Sequence, residues 1–419
     1  MASLTKKRFG SISMNFNQWL AKLSGSRLYL WAFGIIYTYM FMMTSVVEIP
    51  HGAIVSVIVK VVALGLVGFK LCFLDRFSPR EILFVVLFAL ILLLSYYQSG
   101  SSDMLVVAVM CLGAKNVNFR SICQITLYIG SALLAILLVL SLAKVIPNYV
   151  YGNRNSFGIS YTTDFAAHVF YLACTYVYLR FDVLKWWDFC LVAFLMFFVQ
   201  YFTHTDVDVI SLLILLVIMI VYKFRISWSK HFKPVLIFLR TCWIWLLIFP
   251  GLIIGLSMKY DASNAAFARL NDIISNRLYY GSYAFTSYGV RLFGQPVLQS
   301  GWGGANGYDI YHNAANQVTY FFIDSSYINV LVKFGLALSI LFLHLFLFTA
   351  IKDTKRNNFK IPLVLLVIFA SSCIDQHLFE LAFNPFVLVI FANHRHLSKS
   401  QRLRKSSTKK QGAVLHAKK

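Results

Sequence analysis

Charge is what this sequence has least of. Only 16 of its 419 residues are Asp or Glu, and charged residues make up 13% of the chain, where a soluble domain carries about 25%. A water-soluble fold is thereby excluded. The seven cysteines form no CxxC pair and no metal-ligand spacing, which excludes a disulfide framework and a zinc site. Walker, GxGxxG, HExxH and GxSxG motifs are all missing, so nothing in the sequence supports the use of ATP. No small-residue cleavage site follows the first apolar run, so that run is expected to stay as a span rather than be removed as a signal peptide.

What is present is hydrocarbon. Hydrophobic residues are 59% of the chain and the mean hydropathy is +0.70, so lipid must form part of the solvent. Apolar runs fall at 28–47, 52–74, 81–98, 103–114, 121–146, 165–180, 188–203, 208–222, 234–256, 325–350, 361–374 and 381–393. A spanning helix needs roughly 20 apolar residues, and backbone in lipid must satisfy itself within a helix. The expectation is an all-α polytopic membrane protein of about 12 spans. Two runs, 103–114 and 381–393, are short for a full crossing.

Basic residues orient these spans. With the N-terminus in the cytoplasm, 28 of the 38 Lys and Arg fall on cytoplasmic segments, five outside and five within spans, whereas 11 of the 16 acids fall outside. That bias places both termini inside. The organisation expected is a basic N-terminus (1–27), nine spans (28–256), a large extracytoplasmic loop with short helices (257–324), three spans (325–393) and a basic tail (394–419). The net charge of +22 sits on the cytoplasmic side as an anchor to anionic lipid, not as a nucleic-acid surface.

Candidate chemistry lies outside, in 147–164 and 257–324. The long loop holds eight Tyr and Trp302, a composition against disorder. Phe267, Leu270, Ile274 and Leu278 recur at helical spacing, with Asp261 or Ser263 as cap, so Arg269 and Arg277 are expected to share one amphipathic helix. Arg154, Arg269, Arg277 and Arg291 stand where positive charge is depleted. A planar guanidinium suits a bidentate anion; the plain alternative is a solvated or ion-paired Arg. Lys60 and Lys333 are expected about 12 Å deep in their spans, at 1.5 Å per residue, as functional candidates or snorkelling side chains.

Three stretches carry a resemblance. They are Arg154 to Gly158 with Asp164 beyond; Leu270 to Arg277 followed by Arg291-Leu-Phe-Gly294; and Asp324-Ser-Ser-Tyr327 with Gly335 beyond. Their order and outer placement resemble the Wzy-type polysaccharide polymerases of capsule, exopolysaccharide and O-antigen synthesis, in the O-antigen ligase/polymerase superfamily. One departure is the segment 203–208, where the family often shows Ser-Arg and this chain has no Arg.

The resemblance implies a metal-independent glycosyltransferase of the bacterial plasma membrane, with no cofactor. It would join undecaprenyl-diphosphate-linked oligosaccharide repeat units on the outer face, beside a flippase and a chain-length regulator as partners. Arg154, Arg277 and Arg291, with Arg269, Lys60 and Lys333, would bind the diphosphate. Asp324 would be the general base, with His312 and Asp164 next; capping the following helix is an equal role for Asp324. His204 and His377 also face outward and read as hydrogen-bonded structural residues. Two rival functions stay open: a flippase or transporter of lipid-linked oligosaccharide, and a ligase-like glycan transferase.

Overall fold

The computed structural model describes residues 24–231, 233–312 and 320–394. The basic segments 1–23 and 395–419, with their expected anchoring role, lie outside the described residues. The chain is mostly helical (74%), as a polytopic membrane protein requires. In chain order the helices are α1 (Gly25–Met42), α2 (Gly52–Phe69), α3 (Pro79–Ser99), α4 (Asp103–Gly113), α5 (Phe119–Leu142), α6 (Thr162–Arg180), α7 (Trp186–Thr203), α8 (Asp206–His231), α9 (Lys233–Thr241), α10 (Trp245–Met258), α11 (Ala265–Ile273), α12 (Arg277–Tyr288), α13 (Gly304–His312), α14 (Ser326–Asn329), α15 (Leu336–Lys355) and α16 (Lys360–Ser371). A two-stranded hairpin, β1 (Val150–Tyr151) against β2 (Arg154–Asn155), precedes α6.

Seven helical stretches among the described residues are long and apolar enough to cross a membrane: those built on α2, α3, α5, α7, α8, on α9 with α10, and on α15. Local chemistry fixes several of their ends. Ser78 and Glu81 form a reciprocal capping box at the start of α3, with Pro79 at the first helical position, and Asn118 caps α5, which satisfies orphan N–H groups. Outer faces stay bare: Val61, Leu83 and Phe197 are each more than 60% exposed, a surface that only hydrocarbon covers at no cost. By contrast α6 is buried throughout 165–175, packed against α5, α7, α8 and α16. It tolerates His168 and Thr175 because protein, not lipid, surrounds it.

Two runs differ from the expected helices. The run at 381–393 is a short 3-10 turn, Pro385–Ile390, flanked by irregular chain. It still passes from one end of the bundle to the other. Phe383 stacks on His168, near the start of α6, Phe386 meets Tyr178 near its finish, and the Asn393 carbonyl accepts from Phe119 N at the start of α5. Backbone of this kind survives at membrane depth only inside protein, and Phe386, Val387, Leu388 and Val389 are fully buried. Pro385 and the Asn384 side chain, which bonds Leu378 O and Phe386 N, favour the turn over a helix.

The run at 325–350 is broken by Gly335, at φ +95°. Before it, α14 passes into a π turn, Val330–Phe334. The break brings Gly335 against Gly294 (φ +86°): a Cβ on Gly335 would collide with the backbone of Leu292 to Gly294, and one on Gly294 with that of Lys333 and Phe334. Leu336 N and Ala337 N then donate to Arg291 O and Leu292 O, so the loop's carbonyl groups terminate α15. Lys333 lies in the π turn before the break and pairs with Asp103 at 3.5 Å, at the exposed start of α4.

Gly335→Ala is expected to lose folded protein. A non-Gly residue at such a φ costs about 1–3 kcal/mol, and the added methyl must also displace the backbone of 292–294. A thermal shift in detergent, read by size-exclusion chromatography, checks this; an unshifted transition would show that the crossing point yields.

Candidate functional site

At the end of the bundle where α6 and α8 begin and α16 finishes, the large loop closes over a cavity of about 190 Å³. Its Asp, Arg and His residues come from five places: Asp164 from the first turn of α6, Asp208 from that of α8, Arg277 from the start of α12, Asp324 from the loop before α14, and Asp375 with His377 from the turn after α16. Tyr161, Trp302, Tyr320 and Phe322 supply aromatic walls. Trp302 is fixed through its carbonyl, which accepts from Tyr151 Oη at 2.8 Å.

The loop folds by different signals from those expected. The cap of α11 is Asn264, whose side chain accepts from Ala266 N and Phe267 N; Asp261 instead binds Ser263. Ser275 and Asn276 then adopt positive φ, ending α11 and starting α12, with Asn271 Oδ1 accepting from Tyr279 N at 2.9 Å. Arg269 and Arg277 therefore lie on separate helices, and the shared amphipathic helix is not formed. The reversal turns Arg277 inward, where its Nε stands 3.3 Å from Asp324 Oδ2. Asp324 is not the helix cap; Ser325 holds that position.

His377 organises the opposite wall. It is buried, with Nδ1 2.6 Å from Glu380, and Nε2 3.3 Å from Asp375 and 3.7 Å from Asp164. Burial opposes its charge, but Asp375, Glu380 and Asp164 outweigh burial and push its pKa up to about 10. The ring is clamped in a column: Phe383 stacks on it at 3.8 Å and on His168 at 4.1 Å, and His168 Nε2 meets Thr44 Oγ1 at 2.8 Å. Burial raises the Asp375 and Asp324 carboxyls above the usual range, opposed by His377 in the first case and by Arg277 and His377 in the second.

Of the residues singled out in the sequence, Arg277, Asp324 and Asp164 share this cavity. Arg154 stands at its rim, its guanidinium 6.0 Å from the Tyr161 ring and its Nε donating to Thr203 O at 2.9 Å. It thereby brings a cation to the 203–208 segment, which has none of its own. The expected three-guanidinium diphosphate clamp is not assembled. Arg291 and Arg269 are exposed and line no part of the cavity; Arg291 acts through its backbone carbonyl. Lys60, midway along α2, and Lys333 are likewise off it. His312 is exposed on α13, its Nδ1 3.0 Å from Tyr308 O, and His204 contacts Asn153. Sequence reasoning passed over Asp208, Asp375 and His377 as site residues. The signal for them was polar residues clustered within apolar stretches: Asp206 and Asp208 before one long run, Asp375, Gln376 and His377 between two others. No family model, curated protein or solved structure matches the chain.

Because the pKa of His377 is raised from 6.5 to about 10, its stabilising effect is fully present below pH 6.5, declines above that, and is gone beyond about pH 10. His377→Gln is expected to lower the melting temperature most at pH 6, with the gap to the wild type closing as pH approaches 10. A gap independent of pH would show that the ring acts by packing alone.

Proposed function

We propose that this chain is a membrane glycosyltransferase that polymerises undecaprenyl-diphosphate-linked oligosaccharide repeat units into polysaccharide on the outer face of the bacterial plasma membrane. The observation that carries the reading is the Arg277–Asp324 pair, 3.3 Å apart, in an aromatic-walled cavity under the large loop. In this reading twelve segments cross the membrane, counting α1, α4, α6, α16 and the irregular 381–393 run beside the longer helices. Both termini are cytoplasmic and the cavity is extracytoplasmic. The resemblance described above supports it, since two of its three motifs place a cavity residue, Arg277 and Asp324, and the Asp164 that follows the remaining one lines the cavity too.

The chemistry follows from these groups. The terminal hydroxyl of the acceptor repeat gives its proton to the Asp324 carboxylate, which burial makes more basic than usual. The hydroxyl oxygen bonds to the anomeric carbon of the donor glycan, and the bond from that carbon to the diphosphate breaks. The lipid diphosphate departs with the electron pair, its charge met by Arg277 and, at the rim, Arg154. The donor brings its own leaving-group energy, so no ATP enters. A flippase delivering repeats and a chain-length regulator are the partners this reaction calls for.

One observation favours a second reading. Asp164, Asp208 and Asp375 gather at the ends of three membrane helices, and ionisable groups so placed often serve cation- or proton-coupled transport. A single experiment separates the two. Arg277→Ala in the native host is expected to cut polymer by on the order of 100-fold, with single lipid-linked repeats accumulating on the outer face. Repeats trapped in the cytoplasm would favour the transporter, and normal polymer would remove Arg277 from the mechanism.

A further inference from the structure

The cavity at Arg277 holds about 190 Å³, below the roughly 300–1,000 Å³ of clefts that enclose a whole ligand. It admits the reacting sugars and leaves the rest of an oligosaccharide outside. A second, larger cleft of about 370 Å³ lies beside it. Its walls are Tyr279, Tyr280, Tyr283, Tyr288, Tyr320 and Phe321, with Gln299 and Ser300 adding polar groups.

A single layer of backbone divides the two. Ser300 and Phe321 pair as an antiparallel bridge, through bonds of 2.8 and 3.1 Å. Side chains alternate across such an extended segment: Phe322 faces the first cavity, Phe321 the second, and Tyr320 lines both. The segment that separates the cavities leads directly into Asp324. Gln299 ties the layer down, its Oε1 accepting from Ile323 N at 3.0 Å.

We infer that the tyrosine cleft is a second glycan subsite, holding the sugars of the chain next to those that react. The inference rests on the glycosyltransferase reading. The lining carries no charged residue, which disfavours a diphosphate headgroup, and it is too rich in hydroxyl and amide groups for a prenyl tail. Its ligand is an uncharged, polyhydroxylated ring with an apolar face. Tyr279 and Tyr283 are 49% and 45% exposed, each with a hydroxyl free of protein hydrogen bonds among the described residues. The rings are braced against one another: Tyr279 on Tyr280 at 5.3 Å, Tyr280 on Tyr320 at 5.2 Å, Tyr283 on Phe321 at 4.8 Å and Tyr288 stacked on Phe321 at 6.1 Å. Pre-ordered aromatic rings lose little entropy when they bind.

The test uses the full chain in the native host, with the chromosomal copy replaced by variants and the polymer sized on gels. Tyr279→Ala and Tyr283→Ala are expected to shorten the modal chain at least twofold, and Tyr283→Phe, which keeps the ring and loses only the hydroxyl, to shorten it less than Tyr283→Ala does. Full-length polymer from both Ala variants, with Arg277→Ala polymer-free, would overturn the cleft and leave the enzyme reading standing. Normal polymer from Arg277→Ala would remove the reading and the cleft with it. Expression of each variant is checked by detergent size-exclusion. As a second measurement, oligosaccharides hydrolysed from the host's own polymer are titrated against purified protein in nanodiscs. Binding weakened at least fivefold by Tyr283→Ala is expected, and unchanged binding would overturn the subsite.

Discussion

Charge placed beside hydrocarbon must be enclosed and compensated, and the architecture of this chain answers that constraint. Four Asp, one Glu, an Arg and a His meet at one end of the bundle, and no lipid-facing helix could carry them. Compensation is local: Arg277 faces Asp324, and His377 faces Asp164, Asp375 and Glu380. Enclosure is global. The helix that supplies Asp164 is enclosed by protein along most of its length, and the loop that supplies Arg277 and Asp324 covers the cavity from above.

The same enclosure permits irregular backbone. A chain segment crosses the bundle as a 3-10 turn with extended flanks because apolar side chains seal it from lipid. The run at 325–350 is interrupted at Gly335, and the loop's carbonyl groups take over the capping of α15. These departures from regular helix serve the site. The irregular crossing carries the Phe383 ring that clamps His377, and the break at Gly335 seats the 291–294 segment against the start of α15. Asp324 stays outside the following helix because Ser325 takes its N-cap position.

The motifs behind the family resemblance acquire a physical meaning here. Gly294 and Gly335, far apart in sequence, are conformationally necessary to each other, since their backbones touch where no side chain fits. Arg291, which reads as an anion ligand by residue type, contributes its carbonyl. Arg277 owes its inward direction to two residues in left-handed conformation, Ser275 and Asn276. Helical periodicity runs straight through that reversal, so spacing alone put Arg277 beside Arg269.

Composition by itself determined that the chain belongs in a membrane and that helices carry it across, because apolar runs of that length leave the backbone no other solution. Residue type and position also made Asp164, Arg277 and Asp324 visible as polar groups outside the expected spans. What only the tertiary structure decided is which of these meet. Asp208, Asp375 and His377 join the site through contacts between segments remote in sequence, and Arg269, Arg291, Lys60 and Lys333 fall away from it. Hydropathy reports the solvent of each residue. It carries no information about which helix ends converge, and convergence is what turns separate charges into a site.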